Sequence, residues 1–248
     1  MIKRVVVGAT IAAAGVAAYA SVRRWWETWG VDPAESARAL PGDDLVEQPT
    51  TSDTRVLTID APPEAVWPWL VQMGYGRAGW YSYDRLDMRG TSAEEIVPEW
   101  QNLSVGDTLP THPGGGFEVR VLEPGHALVA YVDSAMAARW KEGRDAGETQ
   151  PTGLAVSGGF LDTSMPREFA ATWTFVVEPE AGGRTRLIER FRARFDGPTA
   201  GSRLMGPALG FGVFFMTQRH MLGVRKRAEA HARRGVMADE PSIPEPVG

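Results

Sequence analysis

Hydrophobic and polar positions change period at a few sharp boundaries along the chain, and those boundaries predict its elements. Arg55, Val56, Leu57, Thr58 and Ile59 read as a strand that stops at Pro62 and Pro63. Proline in a first helical turn loses no hydrogen bond, because those amides have no intrahelical partner. Val66, Trp69, Leu70 and Met73 follow at i, i+3, i+4 and i+7, one apolar face of a short helix. Gly74, Gly76 and Gly79 break it, and the aromatic run Trp80, Tyr81, Ser82, Tyr83 implies a large buried or half-buried surface.

The chain then becomes strand-rich. Residues 105–110 form a short strand, 112–116 a turn, and Phe117, Val119 and Val121 alternate with Glu118 and Arg120 in the period of a half-buried strand. A turn at 123–126 leads into a strand over 127–133. Residues 134–169 show little periodicity and read as a long loop, a lid or a disordered insertion. Strands over 172–177 and 185–195 flank the turn Ala181, Gly182, Gly183. In the second, Leu187, Glu189, Phe191, Ala193 and Phe195 share a predicted core face, while Arg186, Arg190, Arg192 and Arg194 point the other way. The last element is a long helix over 207–234 with Phe211, Phe214, Phe215, Gln218, Met221, Leu222 and Val224 on its apolar stripe.

Ahead of all this, residues 5–22 carry no charge; as a helix these 18 residues span roughly 27 Å, enough for a bilayer core. Trp25, Trp26 and Trp29 follow where an interfacial aromatic belt would sit. A cleaved secretory signal is the alternative, with Lys3 and Arg4 as its positive end and Ala18, Tyr19, Ala20 as its small-residue site. The basic pairs on both flanks leave the membrane side open. The chain is therefore read as a transmembrane anchor or signal (1–24), a juxtamembrane linker (25–53), a folded domain (54–234) and a disordered tail (235–248).

Composition narrows function more than fold. With 248 residues, 43% hydrophobic content and a net charge of −5, this is one mildly acidic domain with appendages, not a nucleic-acid binder by bulk charge. No cysteine is present, which excludes disulfides, thiolate catalysis and zinc–cysteine sites. His112, His126, His220 and His231 have no metal spacing; His220 lies beside the stripe and could contact the cavity, but reads rather as a helix-surface residue. Gly114, Gly115 and Gly116 lack the Lys-Ser/Thr of a phosphate loop. No cofactor is implied.

The order of elements gives an α+β fold. An antiparallel sheet with one buried face must be covered, and only the terminal helix is long enough to cover it. A curved sheet around that helix leaves a cavity between them. The residues Ile59, Ala61, Pro62, Val66 and Trp67, then Gln72, Met73, Gly74, Gly76, Arg77, Gly79, Trp80, Tyr81, Ser82, Tyr83 and Asp84, resemble the actinobacterial branch of the START-like (SRPBCC) superfamily. Thr185 to Ile188 with Arg190 and Arg192, and Met221 to Gly223 with Arg227 to Glu229, resemble it too, so the likeness covers roughly residues 29–230. That superfamily includes polyketide cyclases, lipid-transfer domains and birch-pollen-allergen-like proteins. The resemblance implies a helix-grip fold with a deep apolar cavity, and no particular chemistry.

The candidate chemistry is sparse. Arg77, Tyr81, Tyr83 and Asp84 could form the polar end of a pocket, Arg77 meeting an anionic head group; or Arg77 and Asp84 could pair and merely hold the loop. Glu189 on an apolar face is expensive unless paired, a common preparation for acid–base work, or a bulge turns it outward. Gln72, Trp80, Phe191, Phe214, Gln218 and Met221 complete the expected ligand contacts. No nucleophile elbow or metalloprotease motif appears. The favoured reading is a membrane-tethered, non-catalytic binder of a hydrophobic small molecule or lipid. The alternative is a cyclase, aromatase or dehydrase on a polyketide-like substrate, with Glu189 and Asp84 as candidate acid and base.

Overall fold

The computed structural model describes the backbone of residues 2–87, 90–112, 114–145, 168–196 and 200–239; side chains are described over the same ranges except 2–13, 16, 86, 87, 141, 143–145, 196, 200–211 and 236–239. Six strands, β1 (Thr51–Ile59), β2 (Thr108–His112), β3 (Gly115–Glu123), β4 (Ala127–Asp133), β5 (Glu168–Glu180) and β6 (Arg184–Asp196), form one antiparallel sheet in the order β1-β6-β5-β4-β3-β2. The ladder shifts register between Pro110 and His112 and again between Val119 and Val121, irregularities that bend strands.

Period-2 alternation puts Leu128, Phe175, Val177 and Leu187 on the inner face. Two helices cover them. α3 (Pro63–Gln72), which follows α1 (Ile2–Glu27) and α2 (Pro33–Ser36), buries Val66, Trp69 and Leu70 as its spacing predicts. The terminal helix α6 (Ala200–Asp239) adds Met221, Val224 and Ala228 to the same core. Burying each such large apolar side chain contributes on the order of 1.5–3 kcal/mol, so this contact between helices and sheet fixes the architecture. The α+β arrangement of antiparallel sheet and covering C-terminal helix is as the element order implies.

The outer face departs from expectation. Arg190, placed by its alternation on a polar face, is only 2% exposed. It donates to Thr54 Oγ1 at 2.9 Å, to the carbonyls of Arg38 and Ser36 at 2.7 and 2.9 Å, and to Asp43 at 2.7 Å. Val56, Ala127, Val176 and Ile188 pack there with Leu40. Residues 29–46, read from the sequence as part of a linker, thus lie folded over the sheet. Asp32 caps α2 by accepting from the amides of Ala34 and Glu35 at 2.8 and 2.9 Å. Gly42 closes this cover: its φ is +82°, and a Cβ would lie 2.4 Å from Val129 Cγ1.

Two further expectations are corrected. The linker read over 25–53 ends earlier, because β1 pairs with β6 from Thr51 opposite Ala193 onward. The supposed loop after residue 133 begins as a helix, α5 (Ser134–Asp145), after the four-residue α4 (Asp84–Asp87) upstream. Asp133 caps it by accepting from the Met136 amide at 2.8 Å, and Trp140 packs beside Val132 and Ala171. Residues 146–167, the remainder of that insertion, lie outside the described residues, as do 240–248 of the expected tail. Among the described residues no helix is long and apolar enough to cross a membrane, so the expected single-pass anchor has no support there; the side chains of 2–13 and 16 are outside that set.

Candidate functional site

Register decides which side chains meet under α6. Glu189 stands opposite Arg55 of β1 and opposite Phe175 of β5, and Trp173 stands opposite Phe191, so all five project from one face of the sheet. Between that face and α6 lies a cavity of about 280 Å³. Trp80, Phe117, Trp173 and Phe191 form its aromatic walls, with Trp80 and Trp173 stacked at 5.2 Å and 22°. Helix α6 closes it with Val213, Met216, Thr217 and His220, spaced i, i+3, i+4 and i+7. Val213 and Met216 are 49% and 40% exposed while His220 is 2% exposed, so the cavity runs from an open apolar mouth to a buried floor.

The polar groups of the floor are built, not incidental. Glu189 Oε2 accepts from Arg55 Nη1 at 2.9 Å and Oε1 accepts from Trp173 Nε1 at 2.7 Å. Each nitrogen of the Arg55 guanidinium has an acceptor: besides Nη1, Nη2 donates to Asp53 at 3.1 Å and Nε to the Trp26 carbonyl at 3.2 Å. Two carboxylates therefore share one cation. Burial pushes the Asp53 carboxyl up to about 6, with the Arg55 charge opposing and Glu189 reinforcing that rise.

His220 is the residue that the sequence misplaces. It is a wall of the cavity, ringed by Trp80, Tyr81, Trp173 and Phe175 at centroid distances of 5.7–6.2 Å. Its Nδ1 lies 2.6 Å from the Trp80 carbonyl. A carbonyl can only accept, so Nδ1 carries the proton and Nε2 a lone pair. That Nε2 is buried and has no partner. Burial pulls the imidazole down to about 4, against the Trp80 hydrogen bond and with the Arg227 charge, so the ring is neutral at pH 7.

A strained turn holds the Trp80 carbonyl in place. Tyr81 has φ +56°, a region costly for a bulky side chain by about 1–3 kcal/mol. Its amide donates to Ser92 Oγ at 3.0 Å and its hydroxyl to the Trp69 carbonyl at 3.1 Å. Burial raises the Tyr81 phenol above its ordinary range. α6 passes directly over this turn, because at Gly223 a Cβ would lie 2.0 Å from the Tyr81 carbonyl oxygen.

Of the expected contacts, Trp80, Glu189 and Phe191 line the cavity. The others fall elsewhere. Arg77 and Asp84 do not pair: Arg77 donates to the carbonyls of Val71 and Trp100 at 2.9 and 3.0 Å, and Asp84 accepts from the amide and hydroxyl of Ser92. Gln72 accepts from the Val97 amide at 2.9 Å and donates to the Glu95 carbonyl at 3.2 Å, tying down the loop after α4. Tyr83 stacks on Phe215 at 5.1 Å, and Tyr81 is structural as described. Met221 belongs to the core, Phe214 packs edge-on against Trp25 at 5.3 Å, and Gln218 is half-buried outside the lining. Among the described residues no cluster of three or more histidines, aspartates and glutamates could hold a metal ion.

No protein-family model matches the chain, and no curated protein matches it. Solved structures similar to it include a protein from Arthrobacter aurescens (14% identity, 79% of this chain and 93% of that one, TM-score 0.39). Another is protein MLL2253 from Mesorhizobium loti (16%, 71% and 97%, TM-score 0.34). A third is a Polyketide_cyc-like protein from Corynebacterium glutamicum (16%, 78% and 97%, TM-score 0.27). At such identities and scores these likenesses say nothing about chemistry.

Proposed function

We propose that this chain is a START-like domain that binds an apolar small molecule in the cavity between its sheet and α6. The observation that carries the reading is the cavity itself, walled by Trp80, Phe117, Trp173 and Phe191 between the sheet and α6. Ligand sites of this kind are mostly apolar with a few placed polar groups. At about 280 Å³ the space lies near the small end of such sites, which favours a molecule of a few rings over a two-chain lipid. Native mass spectrometry of the folded full chain should find a stoichiometric apolar adduct, or should acquire one on titration with a two-ring aromatic; a chain that takes up neither is not a binder.

The enzymatic alternative retains Glu189, which lines the cavity, and loses Asp84, which is held by Ser92 away from it. His220 could serve as the second group, but an imidazole held near 4 is a weak base at neutral pH. A Glu189→Gln chain that binds ligand and loses turnover would favour catalysis.

Tethering to a membrane is a separate proposal that rests on the uncharged run at residues 5–22 alone. Flotation of the full chain with vesicles, compared with a chain carrying Val7→Lys and Ala14→Lys, tests it; equal flotation refutes it.

A further inference from the structure

The floor of the cavity accepts hydrogen bonds and offers no cation. From this we infer that the ligand is a neutral molecule with a hydroxyl group, a phenol or an alcohol, which donates to Nε2 of His220. The inference rests on the binding role proposed above and names the class of molecule bound.

Nε2 is fixed as an acceptor because Nδ1–H is spent on the Trp80 carbonyl at 2.6 Å. Nε2 is buried and without a partner in a ring that lines the cavity, so the protein carries an unmet acceptor there, and a ligand hydroxyl that reaches it would satisfy it. Glu189 meets His220 across Trp173, and as a carboxylate it too can only accept. Of the fixed donors nearby, the Trp173 indole N–H is spent on Glu189 and each guanidinium nitrogen of Arg55 has an acceptor in Glu189, Asp53 or the Trp26 carbonyl, while the indole of Trp80, also in the lining, brings one further N–H that can only donate. The hydroxyls of Ser82, Thr111 and Thr217 can act in either sense and do not discriminate. Among the described residues no lysine or arginine lines the space, so a carboxylate would enter an apolar cavity beside Glu189 without a counter-charge from them. An ammonium would lose its hydration against a carboxylate already paired with Arg55. A neutral hydroxyl on an aromatic frame avoids both costs, and the near-parallel rings of Trp80 and Trp173 suit such a frame.

Calorimetric titration of the full chain at pH 7.5 with 2-naphthol, 2-methoxynaphthalene, 2-naphthoate and 2-naphthylmethylammonium tests this. The four share one ring system and differ only in the polar group. The naphthol should bind about tenfold more tightly than its methyl ether, a single hydrogen bond's worth, and both ions more weakly than the ether. In His220→Phe the ether should still bind and the naphthol advantage should shrink to about twofold or less. If His220→Phe does not fold, the ¹⁵N resonance of His220 Nε2 in the unaltered protein should move upfield on adding naphthol. Tightest binding by either ion, an undiminished naphthol advantage in His220→Phe, or an unmoved Nε2 resonance overturns the inference. Ether binding without a naphthol preference overturns it alone, whereas failure of all four probes on folded protein removes the binding role as well.

Discussion

Replacing Arg55 by Met leaves two buried carboxylates facing each other without their cation. Arg55 and Glu189 are each 1% exposed, their ion pair is 2.9 Å long, and Asp53 completes the triad at 3.1 Å. Removing one partner of such a pair typically costs about 3–5 kcal/mol, because the charge left behind is desolvated and unpaired. In a domain of this size each kcal/mol lowers the melting temperature by about 2–4 °C, so Arg55→Met should melt roughly 6–20 °C below the unaltered protein. The sign with pH follows. Without the guanidinium, the Asp53 carboxyl, already raised by burial, binds its proton more tightly still in the folded state, so the penalty is small below about pH 4 and grows as pH rises through its folded value. Urea denaturation of Arg55→Met, Glu189→Gln and the double variant at pH 5 and pH 8 measures all of this. The cycle should show a coupling of at least about 2 kcal/mol at pH 8, since Glu189→Gln removes the charge that Arg55→Met strands. Effects that add to within about 0.5 kcal/mol would refute the reading of this triad as one electrostatic unit.

Other expectations follow from the same geometry. Asp53, raised to about 6 chiefly by burial, contributes stability that is full below about pH 3.8 and lost as pH rises past 6; Asp53→Asn should therefore gain on the unaltered protein by up to about 3 kcal/mol between pH 4 and pH 8, measured by urea titration. His220, lowered to about 4 by burial, acts in the opposite direction: its contribution is full above about pH 6.5 and lost as pH falls through 4, a loss of up to about 3 kcal/mol that His220→Phe should abolish. Gly223→Ala drives a methyl against the Tyr81 carbonyl and should cost at least about 1–3 kcal/mol by thermal melting, with weaker binding of any cavity ligand because Trp80 shifts with the turn. Arg190→Met removes the bonds that hold residues 36–43 on the outer face; about 3 kcal/mol of destabilisation and new tryptic cleavage at Arg38 are expected, and an unchanged digest would count against this cover as part of the fold.

Local periodicity carried most of the architecture. Val66, Trp69, Leu70 and Met73 are fully buried, as a single helical stripe requires, and Glu189 lies on the inner face where strand alternation puts it. What was hidden depended on contacts distant in sequence or on turn geometry. Arg77 and Asp84 are seven residues apart and of opposite charge, but Gly79 at φ +87° and Tyr81 at +56° turn the chain between them, and each finds main-chain or Ser92 partners instead. The arginines of β6 looked solvated because nothing in β6 records that residues 29–46 fold over it. His220 was legible in retrospect: Val213, Met216, Thr217 and His220 repeat at helical spacing, but a stripe containing threonine and histidine does not look apolar.

The triad of Asp53, Arg55 and Glu189 is hard to account for by stability alone. Buried ion pairs are often matched or bettered by apolar side chains of similar volume, and β1 and β6 pack Leu57 against Leu187 two residues away without difficulty. Here the arrangement also includes an excess carboxylate, which the fold carries with the Asp53 carboxyl held near 6. Such a cost is tolerated most readily where the group faces something other than the core, and Glu189 is the member of the triad that reaches the cavity. On the proposed binding role, Arg55 and Trp173 would be positioning residues, since both donate to the Glu189 carboxylate. Opposite it, His220 keeps Nε2 unpartnered in a wall of aromatic rings. Two buried polar side chains converging on one indole at one end of one cavity fit a ligand site better than a core.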